Sequence, residues 1–189
     1  MNKHLPQFWP AVPSAGNWGG TSWLDTHAKL VGYVQANRGP IDILLVGDSL
    51  TQQWGSPLDK GVLNQAWKKH FANYKTINIG IGGDKAQNVL WRLDHGCVEG
   101  LQPKVVIVMI GNNNMFFTPE TASEAAAKGV QMCVANVSDK FPLAEVIAVK
   151  ILPPRARQSV LRGHQEGQSR SGCSEARQRP EGEGARPLE

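Results

Sequence analysis

The sequence predicts an α/β fold, a three-layer α/β/α sandwich with a parallel sheet that is C-terminally incomplete. Short apolar runs rich in β-branched residues alternate with longer stretches of helical periodicity, which is typical of a parallel sheet covered by helices on both faces. The chain has 189 residues, 41% of them hydrophobic, which is enough to bury a sizeable core in one soluble domain. The C-terminal part lacks both patterns, so we expect the sandwich to stop short of it.

Four apolar runs are the expected strands of this sheet. They cover residues 41–46, 76–79, 105–110 and 146–149. Because the carboxyl ends of parallel strands lie at one edge of a sheet, the residues that follow these runs are expected to lie close together.

Four other stretches carry helical signals. Helices are predicted over residues 22–36, 58–70 and 85–94, and a longer one begins after Thr118-Pro119. Threonine there is a suitable N-cap, and proline is favoured at the first helical position. The longer helix repeats small or apolar residues at a period near 3.6, at Ala122, Ala126, Val130, Cys133 and Val137.

The composition changes abruptly after Pro153. Before it the basic residues are mostly lysine, whereas every later one is arginine, and glycine, serine, glutamine and glutamate dominate. Such a mixture buries too little apolar surface to offset the conformational entropy of the chain. We therefore predict an ordered domain over residues 1–153 and a tail over 154–189 that is disordered or derives from an out-of-frame reading.

Composition also narrows the possible functions. The net charge of +4 is too small an excess to indicate nucleic-acid binding. The three cysteines, Cys97, Cys133 and Cys173, form no Cys-x-x-Cys pair, which argues against a zinc site or a disulfide framework and favours a reducing, cytoplasmic setting. The N-terminal segment lacks the apolar stretch of about 7–15 residues found in signal peptides, and no membrane span is predicted.

The Gly-Asp-Ser-Leu sequence at residues 47–50 directly follows the first predicted strand. Ser49 is thereby placed at the exit of a buried strand, where α/β hydrolytic enzymes expose a nucleophile. Glycine permits the tight turn, and a serine hydroxyl becomes nucleophilic once a neighbouring base accepts its proton. The alternative interpretation is a strand-to-loop turn with a serine cap.

A glycine-rich loop, Asn-Ile-Gly-Ile-Gly-Gly-Asp at residues 78–84, follows the second predicted strand. Glycines there allow a backbone N–H group to approach a ligand closely. A dinucleotide-binding loop of the Gly-x-Gly-x-x-Gly type would require glycine at Lys85 and would follow the first strand, so this alternative is set aside. A purely structural glycine-rich turn is the other interpretation.

The third motif is Gly-Asn-Asn-Asn at residues 111–114, after the strongly apolar third strand. An asparagine side-chain amide at the carboxyl end of a central strand is a suitable donor to an oxyanion, although asparagines are also common in turns. The three motifs follow successive strands of a parallel sheet, so they are expected at the edge where ligands bind.

Together these motifs resemble those of the SGNH (GDSL-type) hydrolase superfamily, particularly its branch of platelet-activating factor acetylhydrolase subunits and bacterial acetylesterases. The resemblance covers residues 41–153. It is carried by residues 43–51, by residues 78–93 with the Val-Leu-Trp-Arg-Leu sequence at their end, and by residues 103–114.

The resemblance implies a role for each of several residues. Ser49 would be the nucleophile, and its backbone N–H would form an oxyanion hole with the N–H of Gly83 and the side-chain amide of Asn113. Apart from the resemblance, Asp48 and Trp54 lie near the nucleophile in sequence and are the candidate substrate contacts; Trp54 is either a packing residue or part of an acyl pocket. No metal or organic cofactor is implied.

The family's fourth motif is missing. The resemblance implies further helices and a fifth strand after residue 153, which the tail replaces, and such a loss should expose one face of the last strand and favour self-association. The missing motif is an Asp-x-x-His pair near the C-terminus, in which the histidine is the base and the aspartate orients it. Asp139 is the last aspartate of the chain, and His164 is the only histidine after His95. His164 is therefore the candidate replacement base, with Glu166 nearby in sequence. His27 precedes the nucleophile and is expected at the surface.

The expected function is hydrolysis of short-chain carboxylic esters, above all acetyl esters, through an acyl-Ser49 intermediate. The alternative is a catalytically impaired or non-catalytic relative that keeps the pocket and binds ligands or partners; a nucleotide-binding protein is a more distant one. The expected partners are a small-molecule ester and further copies of the chain, with no nucleic acid, membrane or cofactor.

Overall fold

A four-stranded parallel sheet lies at the centre of the computed structural model. All the residues that the structure describes belong to one unit, Met1–Ile151. They are residues 12–15, 17–18, 21–55, 65–116 and 119–151. In chain order the elements are β1 (Asn17–Trp18), β2 (Thr21–Ser22), α1 (Trp23–Ala36), β3 (Gly39–Gly47), α2 (Ser49–Gln52), α3 (Gln65–His70), β4 (Thr76–Asn78), α4 (Ala86–Asp94), β5 (Leu101–Met109), a short 3₁₀ helix (Asn113–Phe116), α5 (Pro119–Lys140) and β6 (Glu145–Ala148).

The order of the strands defines the edge where a ligand is expected. β4, β3, β5 and β6 lie side by side in that order and run parallel, while β1 and β2 form a separate antiparallel pair. The chain passes from β3 to β4 on one side and then crosses to β5 on the other. The carboxyl ends of β3 and β5 therefore flank the crevice in which ligands bind in open α/β sheets.

One face of the sheet packs against α1, α4 and α5. Side chains alternate between the two faces of a strand. The fully buried residues that the central strands contribute to this face are Leu44, Val46, Val106 and Val108. The residues that the three helices bury against them include Leu30, Val34, Val89, Leu90, Cys133 and Val137.

The opposite face of the sheet contacts aromatic side chains. Apolar strand residues and two aromatic residues together line a pocket there, and they include Leu45, Ile107, Met109, Trp54 and Phe71. Trp67 of α3 is buried and stacks on Phe71 with ring centroids 5.1 Å apart. Both faces are therefore covered, and the predicted α/β fold with a parallel sheet is confirmed.

β6 is the outermost strand in the described part of the chain. It pairs with β5, and Glu145, Ile147 and Ala148 are exposed, Ile147 by 42%. This exposure agrees with the expectation from the sequence. The self-association that such an edge favours stays a prediction.

The predicted strands agree with the structure except at the start of β5. This strand begins at Leu101, whereas the sequence predicted a start at residue 105. Pro103 and Lys104 interrupt the apolar pattern, so the first four residues of the strand were not predicted. Pro103 nevertheless pairs with Ile41 of β3, in a part of β5 that lies before its pairing with β6. A proline is tolerated there because one side of the strand lacks a ladder in the described part of the sheet.

The predicted helices are also found, with bounds that differ by a few residues. α1 begins after Ser22, whose Oγ accepts a hydrogen bond from Asp25 N at 3.1 Å, so Ser22 is its N-cap. α3 is described from Gln65 onward. Residues 56–64, Thr118 and the tail over 154–189 lie outside the described residues. Every helix within the described ranges is too short or too polar to span a bilayer.

Candidate active site

The predicted nucleophile is the first residue of a short helix at the carboxyl end of β3. Asp48 is the N-cap of α2, and its carboxylate accepts a hydrogen bond from Leu50 N at 3.0 Å. Ser49 follows the cap and is half-buried. The first N–H groups of a helix point away from it without intrahelical partners, so Ser49 lies beside donors that can bind an anion.

Asn78 joins the glycine-rich loop to α2. Its Nδ2 donates to Thr51 O at 2.7 Å, and its Oδ1 accepts from Gly80 N at 2.9 Å. A Cβ atom at Gly80 would lie 2.5 Å from Gln52 N, so this position requires glycine. The first half of the loop is therefore packed directly on the helix that carries Ser49.

The second half of the loop lies beside Ser49 itself. A Cβ atom built at Gly82 would lie 3.8 Å from Ser49 Cβ, which is van der Waals contact. Gly82 N donates to Gln52 Oε1 at 2.6 Å. Gly83 has a φ angle of +78°, a left-handed conformation that favours glycine. Gly83 therefore permits the turn, and Gly82 lies next to Ser49.

The asparagine motif after β5 completes the group of three loops. Asn113 Nδ2 donates to Asp84 O at 2.8 Å, one residue beyond Gly83. Asn114 is fully buried, and its Oδ1 accepts from Ala86 N at 2.9 Å, which caps α4. Asn113 thus connects its loop to the glycine-rich loop, while Asn114 holds the following helix in place.

Three donors in these loops are available to a ligand. Among the residues that the structure describes, neither the backbone N–H of Ser49 nor that of Gly83 has a hydrogen-bond partner. A side-chain amide carries two hydrogens, and the described contact of Asn113 Nδ2 uses one of them. The structure brings together the three loops that the sequence motifs predicted, and their assigned roles stay predictions.

A buried ion pair lies beneath these loops. Asp84 and Arg92 are both completely buried, with Arg92 NH2 and Nε at 2.7 and 2.8 Å from Asp84 Oδ2. Trp23 Nε1 donates to Asp84 Oδ1 at 2.6 Å. The guanidinium also donates to Ile79 O at 2.6 Å and to Gly47 O at 3.3 Å, which are carbonyls at the ends of β4 and β3. The pair therefore fixes both strand ends that precede the predicted catalytic loops.

Burial affects the ionisation of both members of the pair. Burial raises the pKa of Asp84 to about 6, although the charge of Arg92 and the hydrogen bonds from Trp23 and Arg92 lower it. Burial lowers the pKa of Arg92, but the interactions with Asp84 and Cys97 raise it, and the net shift is upward. Both groups are therefore charged at neutral pH, and an opposite charge compensates each of them.

The two predicted substrate contacts lie in different environments. Trp54 is 37% exposed and lines an apolar pocket of about 120 Å³, together with Thr51 of α2, on the face of the sheet opposite α1, α4 and α5. Asp48 is 1% exposed, and burial raises the pKa of its carboxyl group. The hydrogen bond that it accepts from Leu50 N gives this buried carboxylate a structural role as the cap of α2. Substrate contact by either residue stays a prediction.

Among the described histidines, His95 lies away from the predicted nucleophile. His95 follows α4, which starts at the edge where Ser49 lies and extends roughly 13 Å toward the opposite edge. His95 Nδ1 lies 2.6 Å from Trp91 O, and its ring stacks on Trp91. His164 lies outside the described residues. Within the described residues, the Ser49 hydroxyl has no hydrogen bond to a histidine.

His27 is buried, which corrects the expectation that it lies at the surface. It is 7% exposed, stacks on Trp23 at 5.8 Å between ring centroids and contacts Trp91 edge-on at 5.0 Å. Burial, followed by the charge of Arg92, lowers the pKa of His27 to about 4, while a backbone hydrogen bond with His95 opposes the shift. His27 is therefore neutral in the folded protein at neutral pH.

This burial makes the stability of the fold dependent on pH. The unfolded chain protonates His27 near its ordinary pKa of about 6.5, whereas the folded chain does so near 4, so acidification between these values favours unfolding. We expect His27→Phe to gain about 2 kcal/mol relative to wild type when the pH falls from 7.5 to 5. Urea unfolding of both proteins at the two pH values measures this difference. Parallel pH dependences would contradict the assignment.

Metal binding has no obvious site in the described residues. Histidine, cysteine, aspartate and glutamate side chains form no group of three or more there that could hold an ion. Cys97 and Cys133 are buried and unpaired with each other, and burial raises the pKa of both thiols.

Comparison with known proteins identifies the family. Residues 45–171 match the model of the GDSL-like Lipase/Acylhydrolase family. The chain belongs to this family. The match includes the predicted nucleophile, the glycine-rich loop and the asparagine motif.

Among curated proteins of this family type, the chain is similar to platelet-activating factor acetylhydrolase subunits. It is 31% identical over 154 residues to the IB subunit alpha2 of Rattus norvegicus, covering 80% of this chain and 62% of the relative. It is 32% identical over 142 residues to the IB subunit alpha1 of Bos taurus, covering 74% of this chain and 55% of the relative. The chain therefore spans less than two thirds of the length of these relatives.

A solved structure supports the fold. A protein from Streptococcus pneumonia assigned as a platelet activating factor superposes with a TM-score of 0.52 at 17% identity, covering 77% of this chain and 68% of that one. At this identity the similarity supports the GDSL fold of the chain and nothing further.

Sequence reasoning missed several residues that hold the site together. Gln52, Asp84 and Arg92 contact the predicted catalytic loops or the strand ends before them. The only local indication in the sequence was the presence of two opposite charges eight residues apart, Asp84 in the glycine-rich loop and Arg92 in a helix with an apolar face. A charged residue on the buried face of a helix is rarely left unpaired, so Arg92 was the position at which a partner could have been sought.

Proposed function

We propose that the chain is a serine esterase that hydrolyses short-chain carboxylic esters, with acetyl esters as the expected substrates. Its membership of the GDSL-like Lipase/Acylhydrolase family supports ester hydrolysis. The observation that carries the proposal is the position of Gly82 next to Ser49, so close that a Cβ atom added to the glycine would lie 3.8 Å from Ser49 Cβ, together with the backbone N–H groups of Ser49 and Gly83, which have no partner among the described residues. This geometry suits stabilisation of an oxyanion at the serine.

In the proposed reaction Ser49 Oγ attacks the carbonyl carbon of the ester while a base accepts the hydroxyl proton. The carbonyl oxygen becomes an oxyanion, to which the N–H groups of Ser49 and Gly83 and the amide of Asn113 donate. Collapse of this intermediate breaks the ester C–O bond, and the alcohol leaves with the proton. Water then attacks the acyl-Ser49 ester by the same steps, which releases the carboxylic acid and restores the serine.

The candidate base of this reaction within the chain is His164, because it is the only histidine after His95, in the C-terminal part where the family carries its catalytic histidine. Without a base, hydrolysis would retain only the contribution of the oxyanion hole and of substrate binding, which is ~10³–10⁴-fold over water in proteases that lack a triad member.

Replacement of the nucleophile tests the proposed function. We expect Ser49→Ala to abolish hydrolysis of a chromogenic acetyl ester, a loss of ~10³-fold or more if a base is supplied. Ser138→Ala, at an exposed position of α5, is the matched control and should retain wild-type activity. His164→Ala, assayed alongside, should reduce activity if this residue is the base. Equal background hydrolysis by the wild type and Ser49→Ala would disprove the esterase.

A second candidate function is ligand binding without catalysis. It is favoured by one observation, the lack of a hydrogen bond between Ser49 and any histidine of the described residues. A non-catalytic protein would bind a short-chain ester or its carboxylate product without turnover. Calorimetric titration with acetate, compared with the same titration of Ser49→Ala, would detect such binding when the hydrolysis assay shows none.

A further inference from the structure

The side chain of Gln52 joins the helix that carries Ser49 to the glycine-rich loop. Gln52 Oε1 accepts a hydrogen bond from Gly82 N at 2.6 Å. Gln52 lies three residues after Ser49, in the same four-residue helix, and is half-buried. Its backbone N–H donates to Asp48 O at 2.8 Å, so the residue is held at both its main chain and its side chain.

The loop needs such a contact because its sequence does not fix its own conformation. Gly82 and Gly83 follow each other, and glycine has more conformational freedom than any other residue. Beyond the two glycines the loop is held by Asp84 N, which donates to Ile81 O at 3.2 Å, and by the Asn113 contact with Asp84 O. On the side that faces Ser49, the contact with Gln52 holds the Gly82 peptide.

The position of Gly82 determines where the next N–H group points. The N–H of Gly83 belongs to the peptide that directly follows Gly82, and it has no partner among the described residues. We propose that Gln52 is a positioning residue, whose amide oxygen sets the distance and direction of the Gly83 N–H relative to Ser49. This inference rests on the proposed esterase function and adds to it a residue that contacts neither the substrate nor the reacting atoms.

A positioning role predicts a specific kinetic effect. A misaligned oxyanion donor affects the transition state, where charge develops, much more than the bound ester. Loss of one such donor lowers kcat by about 10²–10³-fold in a protease, so partial misalignment is expected to lower kcat by roughly 10- to 100-fold. The Michaelis constant should change by less than about threefold, because binding of the uncharged ester does not depend on this donor.

Three variants test the proposal. Gln52→Ala removes the acceptor, Gln52→Glu keeps an acceptor oxygen at nearly the same place, and Gln53→Ala removes the exposed amide of the next residue as a matched control. We expect a lower kcat with an unchanged Michaelis constant in Gln52→Ala, recovery of most of the rate in Gln52→Glu and wild-type kinetics in Gln53→Ala. Hydrogen exchange of the Gly82 amide should accelerate in Gln52→Ala and slow again in Gln52→Glu.

The possible outcomes separate this inference from the proposed function. A wild-type chain without Ser49-dependent hydrolysis overturns the esterase and the positioning role together. Ser49-dependent hydrolysis with a wild-type kcat in Gln52→Ala overturns the positioning role alone. A glutamate variant as slow as the alanine variant, with Gly82 exchange equally fast in both, also overturns it, because the acceptor oxygen would then not be the cause.

Discussion

Replacement of Asp84 by alanine is expected to lower the free energy of unfolding by about 3–5 kcal/mol, the usual result of removing one partner of a buried ion pair. Arg92 is completely buried, and a guanidinium cannot lose its proton in a protein, so the charge would remain without an opposite charge. The Trp23 indole N–H would lose its acceptor as well. Urea unfolding at neutral pH measures the loss, which is large against the total stability of a domain of this size.

Replacement of the other partner, Arg92, should lower the free energy of unfolding by less than Asp84→Ala does. Arg92→Met leaves Asp84, and a carboxyl group can bind a proton when its charge is not compensated. Because the charge of Arg92 lowers the pKa of Asp84, its removal should raise that pKa further above about 6. A raised pKa in the folded state means that the folded state binds the proton more tightly, so the variant should gain stability relative to the wild type as the pH falls from 8 to 5.

An exposed ion pair provides the control for both variants. Lys104 Nζ lies 2.7 Å from Asp42 Oδ1, but the lysine side chain is 75% exposed. Water and salt weaken such a contact, so Lys104→Met should leave the unfolding midpoint nearly unchanged. If Asp84→Ala unfolded at the same urea concentration as Lys104→Met, the buried pair would not contribute to stability as argued.

The strands were predictable because burial on both faces is visible in the sequence. Residues 41–46 and 105–110 are nearly continuous runs of Ile, Leu, Val and Met, and both form central strands of the parallel sheet. α2 was not predicted, since a helix of four residues is too short to show periodicity. Its formation depends on the cap by Asp48 and on contacts with the glycine-rich loop, which is distant in sequence.

The proximity of the three predicted catalytic loops could be predicted for a topological reason. Each motif follows a strand of the same parallel sheet, so the carboxyl edge brings them together whatever the details of the helices. The contacts that hold the loops were not predictable. Gln52 is 30 residues from Gly82 and Trp23 is 61 residues from Asp84. The sequence around each of these residues contains no signal of its partner.

Gly47→Ala is the replacement in the nucleophile turn with the largest expected effect. A Cβ atom at this position would lie 2.0 Å from Thr51 Oγ1 and 2.2 Å from Met109 O. Met109 O belongs to the backbone of β5, which pairs with β3 at this level, so relief of this contact requires the end of β3 to move, and relief of the contact with Thr51 requires α2 to move. Overpacking of this kind costs about 1–3 kcal/mol, occasionally more. A shift of about 1 Å in a catalytic group can reduce the rate by about 10²-fold, and we expect a loss of this order in ester hydrolysis.

Two further variants separate the clash from the mere addition of a methyl group. Gly32→Ala adds the same methyl group in α1, where no atom lies within 4 Å, and should stabilise the helix by roughly 0.5–1 kcal/mol without an effect on hydrolysis. The double variant Gly47→Ala/Thr51→Ala removes the Thr51 hydroxyl but keeps the contact with Met109 O, so it should recover only part of the stability and rate. Full recovery of stability and rate would mean that the contact with Thr51 alone causes the loss. Hydrolysis at the wild-type rate in Gly47→Ala would mean that the turn tolerates a side chain and that the close packing of β3 against α2 does not set the position of Ser49.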